Sequence, residues 1–387
     1  MKVEIFVFSV SLRLIAVMIA GVLIWEREVA AQVAYDTIQL PGVVVTGIRA
    51  DSPSTVLITA SYVTSGTSTQ SALYQGTLEG VLKAPASQWT LLTPVFSGQT
   101  VTSSSFYGPN TSFLNPTLGS MNLRAVGSYK YTTGPSGPNY DHGMMYEGKI
   151  GSGHWTQLDA TSLVPPGDTL LNTICHSTMG DLIVGNYDSK LVAGKAFIFN
   201  VKTGRWVDFN PTGSKSVTAY GIWQNGGSLS HSYTIAGGFS DLDTGGLDQG
   251  YLVDYDLVTG NLTHLKKFNY KNQTSSIISH FDGITGTGDG YHLTGDYAAV
   301  EAPSSTSDAT SAKPTVGNAG FFTSIKRLQD GSFGDAVWTE IAFTNPSGAV
   351  ASVTSGNTVI GHHVLGIYVD GTTSSYVATV GEIRPSK

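Results

Sequence analysis

Six short segments of the sequence can be aligned so that a polar residue occupies the same position in each. The aligned residues are Thr46, Tyr107, His176, Tyr220, Asp282 and Asn357. If they meet, His176 could act as a general base near neutral pH, and Asp282 could orient it or bind a cation. Tyr107 and Tyr220 could stack on a sugar or donate hydrogen bonds. His280 lies two residues before Asp282, so on a strand it would share the same face.

The same row of polar residues has a second interpretation. A narrow, wet channel is lined by polar side chains because solvation alone favours them there. The alignment therefore predicts either a ligand-binding or catalytic mouth, with Tyr107, His176, Tyr220, His280 and Asp282 as its candidate residues, or a solvated lining. Asn357 belongs to the candidate ligand-binding set in the first case.

One segment resembles a calcium loop in its spacing. "DLDTGGLD" places Asp241, Asp243 and Asp248 around a glycine pair, and carboxylates at alternate positions can wrap one hard cation. The segment lacks the closing glutamate of an EF-hand, and Asp and Gly are also ordinary turn residues. Calcium at this loop and a plain hairpin connection both stay open, and no other cofactor is expected.

Motifs that would assign a reaction class are missing. The sequence contains no GxSxG, no Walker A loop, no HExxH and no CxxC. The single cysteine, Cys175, sits in an apolar alternating stretch, which predicts a buried small side chain. A thiol pair with His176 is disfavoured, because neighbours on a strand point to opposite faces. The sequence therefore leans away from an enzyme without deciding the question.

The composition is that of a rigid β protein with many turns. Only 13% of the 387 residues are charged, 41% are hydrophobic and 46 are glycine. Glycine supplies the left-handed backbone positions that tight turns need. The net charge of −7 and the absence of a basic run argue against a nucleic-acid partner.

The N-terminus reads as a separate segment. A basic start with Lys2 and Arg13 precedes a short apolar run at 14–25, and Ala31 follows a further small residue. This order is typical of a secretory signal peptide over residues 1–31, cleaved after about Ala31. The run is short for a membrane span, so we expect an exported protein, secreted or periplasmic, with no transmembrane span in the mature chain.

Four short phrases recur along the rest of the chain. Examples are "VTAYGIW" (217–223), "IAGGF" (235–239), "YLVDYD" (251–256) and "RWVDF" (205–209). Each is rich in β-branched and aromatic residues and is bounded by Gly, Asn, Asp or Ser, which predicts strands. The second phrase ends in glycine, any residue and an aromatic, except in the first copy, which has Ala60 in place of the glycine.

Six units of four strands predict an all-β fold, a six-bladed β-propeller occupying residues 32–387 as one domain. The sixth unit stops after its third phrase, while "YDTIQLPG" (35–42) reads as an isolated fourth phrase ahead of the first blade, which begins at about residue 43. The N-terminal strand is therefore expected to complete the last blade and close the ring, which removes an open sheet edge.

The segment 233–265 resembles a kelch repeat. It has an apolar strand ending in Gly237-Gly238, then Tyr255-Asp256, a turn at Thr259-Gly260 and a fourth strand. "GRW" at 204–206 and "GHW" at 153–155 are similar to the turn-plus-tryptophan phrase of that family. The resemblance implies a propeller. Kelch-like propellers serve as binding scaffolds, and a few are secreted oxidases or sugar-processing enzymes.

Three functions remain as hypotheses. The first is a binding module for a glycan, a small ligand or an envelope protein, favoured by a repeat-built scaffold with uneven loops. The second is a secreted hydrolase or lyase with its site at the channel mouth, using His176, Tyr220 and Asp282. The third is a structural or assembly protein of the cell envelope. A monomer is expected in each case, and fold alone does not choose among them.

Overall fold

The structure, a computed structural model, describes residues 31–66, 68–132, 139–211, 213–241, 248–272, 277–300, 314–345 and 348–381. Within these ranges the chain forms six four-stranded antiparallel sheets arranged as the blades of a ring. The expected all-β six-bladed propeller is confirmed. The signal peptide predicted for residues 1–31 lies outside the described residues apart from its last position, and it stays a prediction.

The blades follow one another along the chain, and each runs from an inner strand at the channel to an outer strand at the rim. Blade one contains β2 (Val43–Ala50), β3 (Val56–Ser65), β4 (Ser68–Gly76) and β5 (Trp89–Leu92). Blade two contains β6 (Val101–Thr111), β7 (Leu123–Tyr131), β8 (His142–Gly148) and β9 (His154–Gln157). Blade three contains β10 (Leu170–Met179), β11 (Leu182–Ser189), β12 (Lys195–Asn200) and β13 (Arg205–Phe209). Blade four contains β14 (Ser214–Gln224), β15 (Ser232–Asp241), β16 (Asp248–Asp256) and β17 (Leu262–Phe268). Blade five contains β18 (Ile277–Gly286), β19 (Gly290–Val300), β20 (Pro314–Arg327) and β21 (Phe333–Ile341). Blade six contains β22 (Val353–Ile360), β23 (His363–Asp370), β24 (Thr372–Val380) and β1 (Val33–Thr37).

Within the described ranges, helical structure is confined to short turns between strands. The α-helical turn is α1 (Leu78–Val81), where the Thr77 hydroxyl accepts the backbone N–H of Gly80 at 3.0 Å and caps its start. Short 3₁₀ turns lie at Ala86–Gln88, Pro116–Leu118, Thr161–Leu163 and Tyr270–Asn272. Across the described ranges, no helix has both the length and the apolar character needed to cross a bilayer.

The N-terminal strand closes the ring, as expected. β1 pairs antiparallel with β24, from Val33 opposite Val380 to Thr37 opposite Tyr376, and forms the outer strand of blade six. The Tyr35 hydroxyl accepts the N–H of Ala342 at 3.1 Å, and its ring packs edge-on against Phe343. The strand begins two residues before the predicted segment 35–42 and ends at Thr37, so the rest of that segment is the connection into β2.

All six inner strands carry a β-bulge at the same place. The pairing between the inner strand and its neighbour skips one residue in every blade, and the skipped residues are Thr46, Tyr107, His176, Tyr220, Asp282 and Asn357. These are the six polar residues that the sequence aligns. A bulge kinks the strand and re-aims a side chain. The repeated first phrase therefore encodes a bulge that turns one polar side chain per blade toward the channel.

The glycine of the second phrase faces this bulge. Gly127 pairs with Phe106, the residue before the bulge, and a Cβ at Gly127 would lie 1.9 Å from the Ser105 carbonyl oxygen. Equivalent glycines in blades three to six would meet inner-strand carbonyls at 1.8–2.0 Å: Gly185, Gly237, Gly295 and Gly366. Blade one has Ala60 at this register position. The two repeated phrases thus describe one structural feature, the bulge and the close backbone approach opposite it.

The core lies between adjacent blades and not within a single sheet. One cluster joins Leu57 and Leu73 of blade one to Phe106, Tyr129 and Tyr146 of blade two, all nearly inaccessible to solvent. Comparable clusters unite the other neighbouring blades. Since each face of a blade buries apolar surface against its neighbour, the ring holds the inner strands at fixed distances from one another. Cys175 is buried in such a cluster, as predicted.

Candidate functional site

A large concavity opens at the end of the channel where the inner strands begin. It has a volume of about 500 Å³ and is lined by all six bulge residues. Its remaining lining residues are Val44, Ser61, Thr69, His280, Asp296 and Ser355. We call this cavity the channel mouth. The structure therefore brings together every residue that the sequence proposed for a ligand site, His280 included.

Half of the mouth is a continuous arc of rings. The ring centroids of Tyr107 and His176 lie 5.3 Å apart, those of His176 and Tyr220 lie 4.6 Å apart, and those of Tyr220 and His280 lie 5.5 Å apart. The four side chains come from four consecutive inner strands. Aromatic surfaces at these separations form a wall on which a flat or apolar ligand face can stack.

The other half is a chain of charged and polar groups. His280 Nε2 lies 3.3 Å from Asp282 Oδ1 and 3.3 Å from Asp296 Oδ1. The Ser355 hydroxyl donates to Asp296 Oδ1 at 3.3 Å and lies 3.1 Å from Asn357 Oδ1. The Asn357 amide nitrogen in turn donates to the Val45 carbonyl at 2.6 Å. Hydrogen bonds thus run from blade five through blade six to blade one.

Burial and mutual charge set the protonation of this group. Burial raises the pKa of Asp282 to about 7, with His280 opposing and Asp296 reinforcing the rise. Burial would lower the pKa of His280, but the two carboxylates overcome it and hold that pKa well above its usual value. The pKa of Asp296 is lowered, because His280 and hydrogen bonds outweigh its burial. The two carboxyl groups are thereby driven apart in acidity.

His176 occupies a different environment. Burial lowers its pKa to about 4, only partly offset by Asn186, so its ring is neutral at physiological pH. Its Nε2 lies 2.5 Å from Asn186 Oδ1, an acceptor, so this nitrogen donates its proton there. From the sequence, His176 was a candidate general base. The geometry favours His280 with Asp282 and Asp296 for acid–base work and gives His176 a place in the ring arc.

Two sets of residues are candidates for holding a cation, and the described residues bring only the first set together. The nearest ligand atoms of His280, Asp282 and Asp296 lie within 4.8 Å of one another, although the imidazole already contacts both carboxylates. In the loop predicted for calcium, Asp241 Oδ2 accepts from Lys267 Nζ at 2.5 Å. Asp243 lies outside the described residues, so calcium at Asp241, Asp243 and Asp248 stays a prediction. Burial raises the pKa of Asp248, which the charge of His280 opposes.

Asp296 is a member of the site that the sequence analysis missed. It follows the glycine of the second phrase, and on β19 it pairs directly with His280 on β18. The same position holds Ser61 in blade one and Asn186 in blade three, the latter bonded to His176. A partial signal was available, because the residue after the bulge-facing position pairs with an inner-strand residue that lines the mouth in blades one, five and six: Val44, His280 and Ser355. Recognising it requires the strand register, which phrase similarity does not supply.

Comparison with known proteins assigns neither a family nor a chemistry to the chain. No family model matches the chain, and neither does any curated protein. One similar solved structure is a Trypanosoma rangeli sialidase in complex with sialic acid, with 8% identity, a TM-score of 0.44 and 92% of this chain covered. A second is a Bombyx mori GH32 β-fructofuranosidase, with 9% identity, a TM-score of 0.40 and 90% of this chain covered. Another is virginiamycin B lyase from Staphylococcus aureus (10%, 0.39, 90%). This chain spans 58%, 91% and 99% of those three chains, respectively.

Similarity at these identities and TM-scores carries no information about ligand or activity. The six-bladed fold rests on the strand pairing described above. Since no family model matches, the kelch resemblance of 233–265 stays a prediction.

Proposed function

We propose that the protein binds a carbohydrate of one or two sugar units, or the end of a longer glycan, in the channel mouth. The observation that carries this proposal is that one cavity joins an arc of rings to an arc of carboxylate, amide and hydroxyl groups. A sugar presents an apolar C–H face beside a rim of hydroxyls, so it matches both halves at once. A cavity of about 500 Å³ is within the ordinary size range of small-ligand sites.

The rigid arrangement of the mouth also supports ligand binding, because a preorganised site costs less entropy to fill. Each blade contributes one bulge residue to the mouth, and hydrogen bonds cross from blade to blade, so little ordering remains for a ligand to induce. Export, as predicted from residues 1–31, is part of the proposal, since glycans are abundant outside the cytoplasm. Detection of the protein in the culture medium or periplasm would test that component.

A second candidate is cleavage of the bound glycan or a related ester, and one observation favours it. Asp282 has a pKa near 7 and Asp296 a lowered pKa, so one carboxyl can carry a proton while its neighbour stays ionised. That division suits a proton donor to a leaving oxygen beside a carboxylate that stabilises developing positive charge. His280 would hold the two carboxylates in place through its contacts with both.

The test is a glycan-array screen of the purified protein, followed by calorimetric titration of the best binder. Tyr220→Ala removes part of the ring arc and is expected to weaken binding about 10-fold or more. Asp335→Asn, at a side chain that is 98% exposed and outside the mouth, is the control and should bind like the unaltered protein. Failure of every glycan to bind, or equal binding by Tyr220→Ala, would overturn the proposal.

Product analysis then separates binding from cleavage. If the bound glycan is cleaved, Asp282→Asn should still bind it but lose turnover, because an amide cannot donate the acidic proton. If prolonged incubation with the unaltered protein releases no product, the channel mouth is a binding site and the cleavage candidate is removed.

A further inference from the structure

Arg49 crosses the floor of the channel. It lies three residues beyond the bulge residue Thr46 on β2 and is 5% exposed. Its Nη1 donates to the Ile48 carbonyl at 3.0 Å, and its Nη2 donates to the Ile222 carbonyl at 3.1 Å. Ile222 belongs to β14 of blade four, across the ring from blade one. The side chain therefore ties opposite blades together beneath the mouth.

The guanidinium of Arg49 has no carboxylate partner among the described residues. Its contacts are two neutral carbonyls and the ring of Trp223, whose centroid lies 5.7 Å from Cζ. Its Nε is buried and has no hydrogen-bond partner among the described residues. By contrast, the buried Arg124 is ion-paired with Glu147 at 2.6 Å. Burial lowers the pKa of Arg49 to about 10, so the group stays charged at neutral pH.

A small void lies against this group. It has a volume of about 20 Å³, and Arg49 lines it together with five of the six bulge residues, all but Asn357, and with residues that follow the bulges, among them Gly47, Gly108, Gly221 and Gly283. This space has room for a single water-sized particle. Asp282 also lines the void, but its carboxylate is engaged by His280, and it forms no ion pair with Arg49.

We propose that the void holds one monovalent anion of halide size, chloride under ordinary conditions, bound to the Arg49 guanidinium. A buried charge without a counter-charge is costly, and an anion at this point would neutralise it and satisfy the free Nε–H. The site lies beneath the channel mouth and shares five lining residues with it, Thr46, Tyr107, His176, Tyr220 and Asp282, so the tests below are made without a glycan. The small volume of the void favours a monatomic anion over a larger polyatomic anion such as sulfate.

Thermal unfolding in two salts tests the proposal. The protein is melted in sodium chloride and in sodium gluconate at matched ionic strength, so that general screening is equal. Chloride should raise the melting temperature by about 1–3 °C for each tenfold increase above the dissociation constant. Equal melting in chloride and gluconate across that range would overturn the proposal.

Matched variants connect the effect to the residue. Arg49→Met keeps much of the side-chain volume without the charge, and it should abolish the difference between the two salts. Arg124→Met removes another buried arginine, one that has its own carboxylate, and should keep the difference even if the protein is less stable overall. A chloride effect that persists in Arg49→Met would contradict the assignment.

A second measurement does not depend on a variant that folds. Crystals of the unaltered protein grown or soaked in sodium bromide should show an anomalous scattering peak in the void, within contact distance of the Arg49 guanidinium. Because bromide is only slightly larger than chloride, it reports the same site. A void that shows water density and no anomalous signal at high bromide would overturn the proposal.

Discussion

His280 is the residue on which the charges of the channel mouth depend. Its imidazole lies between two carboxylates at equal distances of 3.3 Å, and all three side chains are largely withdrawn from solvent. His280 and Asp282 therefore hold their protons to a higher pH than the same residues would in water. Since this retention exists only in the folded state, it links the stability of the fold to pH.

The three side chains differ in the direction in which their pKa shifts change stability with pH. The folded pKa of Asp282, about 7, is above its unfolded value, so its contribution is present in acid and is lost as pH rises toward and through 7. The raised pKa of His280 acts in the same direction, and its contribution is also lost as pH rises. The lowered pKa of Asp296 matters only in more acidic solution, where its contribution is lost as pH falls.

We therefore predict that the free energy of unfolding contains a component that falls between pH 5 and pH 8, by about 1–3 kcal/mol. Asp282→Asn removes one titrating group and should make the fall shallower. Urea denaturation at a series of pH values measures it. Asp335→Asn, whose side chain is exposed, should leave the pH profile unchanged. Parallel profiles for the unaltered protein and Asp282→Asn would show that Asp282 does not hold a proton near neutrality.

At the scale of the strand, the bulge in each inner strand turns one side chain toward the channel, and the six side chains together line the mouth. Aligning the phrases was sufficient to predict the blades and the six channel residues, because the same backbone geometry demands similar residues each time. It did not reveal the bulge, because a row of polar residues at one position is expected equally of a regular strand that lines a wet channel. Nor did it reveal Asp296, because its importance comes from lying opposite His280 and from no property of its phrase.

The glycine opposite the bulge provides a test of this feature. Gly127→Ala would place a Cβ 1.9 Å from the Ser105 carbonyl oxygen, so one strand must move and blade two should lose about 2–4 kcal/mol of stability. Gly288→Ala is the matched control, because its Cβ would meet nothing within 4 Å. Chemical denaturation of both variants measures the difference. Equal stability would mean that the bulge tolerates a side chain opposite it.

At the scale of the whole molecule, the ring depends on the pairing of β1 with β24. The sequence predicted this closure from a missing fourth phrase at one end and an isolated one at the other. It placed the strand slightly late, because "YDTIQLPG" contains both the end of the strand and the turn that follows. The paired residues begin at Val33, whose side chain belongs to the blade-six core together with Tyr35.

Tyr35 connects the closing strand to the core and can be removed without shortening the chain. Tyr35→Ala loses edge contacts with Phe343 and Tyr376 and the hydrogen bond from Ala342, and it should cost about 2–4 kcal/mol. Val95→Ala, at a side chain that is 77% exposed, should change stability little. Thermal or urea unfolding compares them. Deletion of residues 33–37 should be more damaging still, and a deleted protein that melts normally would refute closure by β1.

The same closure sets an order in time. β1 is the first strand of the propeller to be synthesised and β24 the last, so blade six cannot assemble until nearly the whole chain exists. Contacts this far apart along the sequence form slowly. A chain that stops before β24 leaves its first strand without a partner and its ring open, exposed to proteases and to other strands. Closure therefore requires both β1 and β24, so only a chain that contains both strands can complete blade six and leave no open edge in the ring.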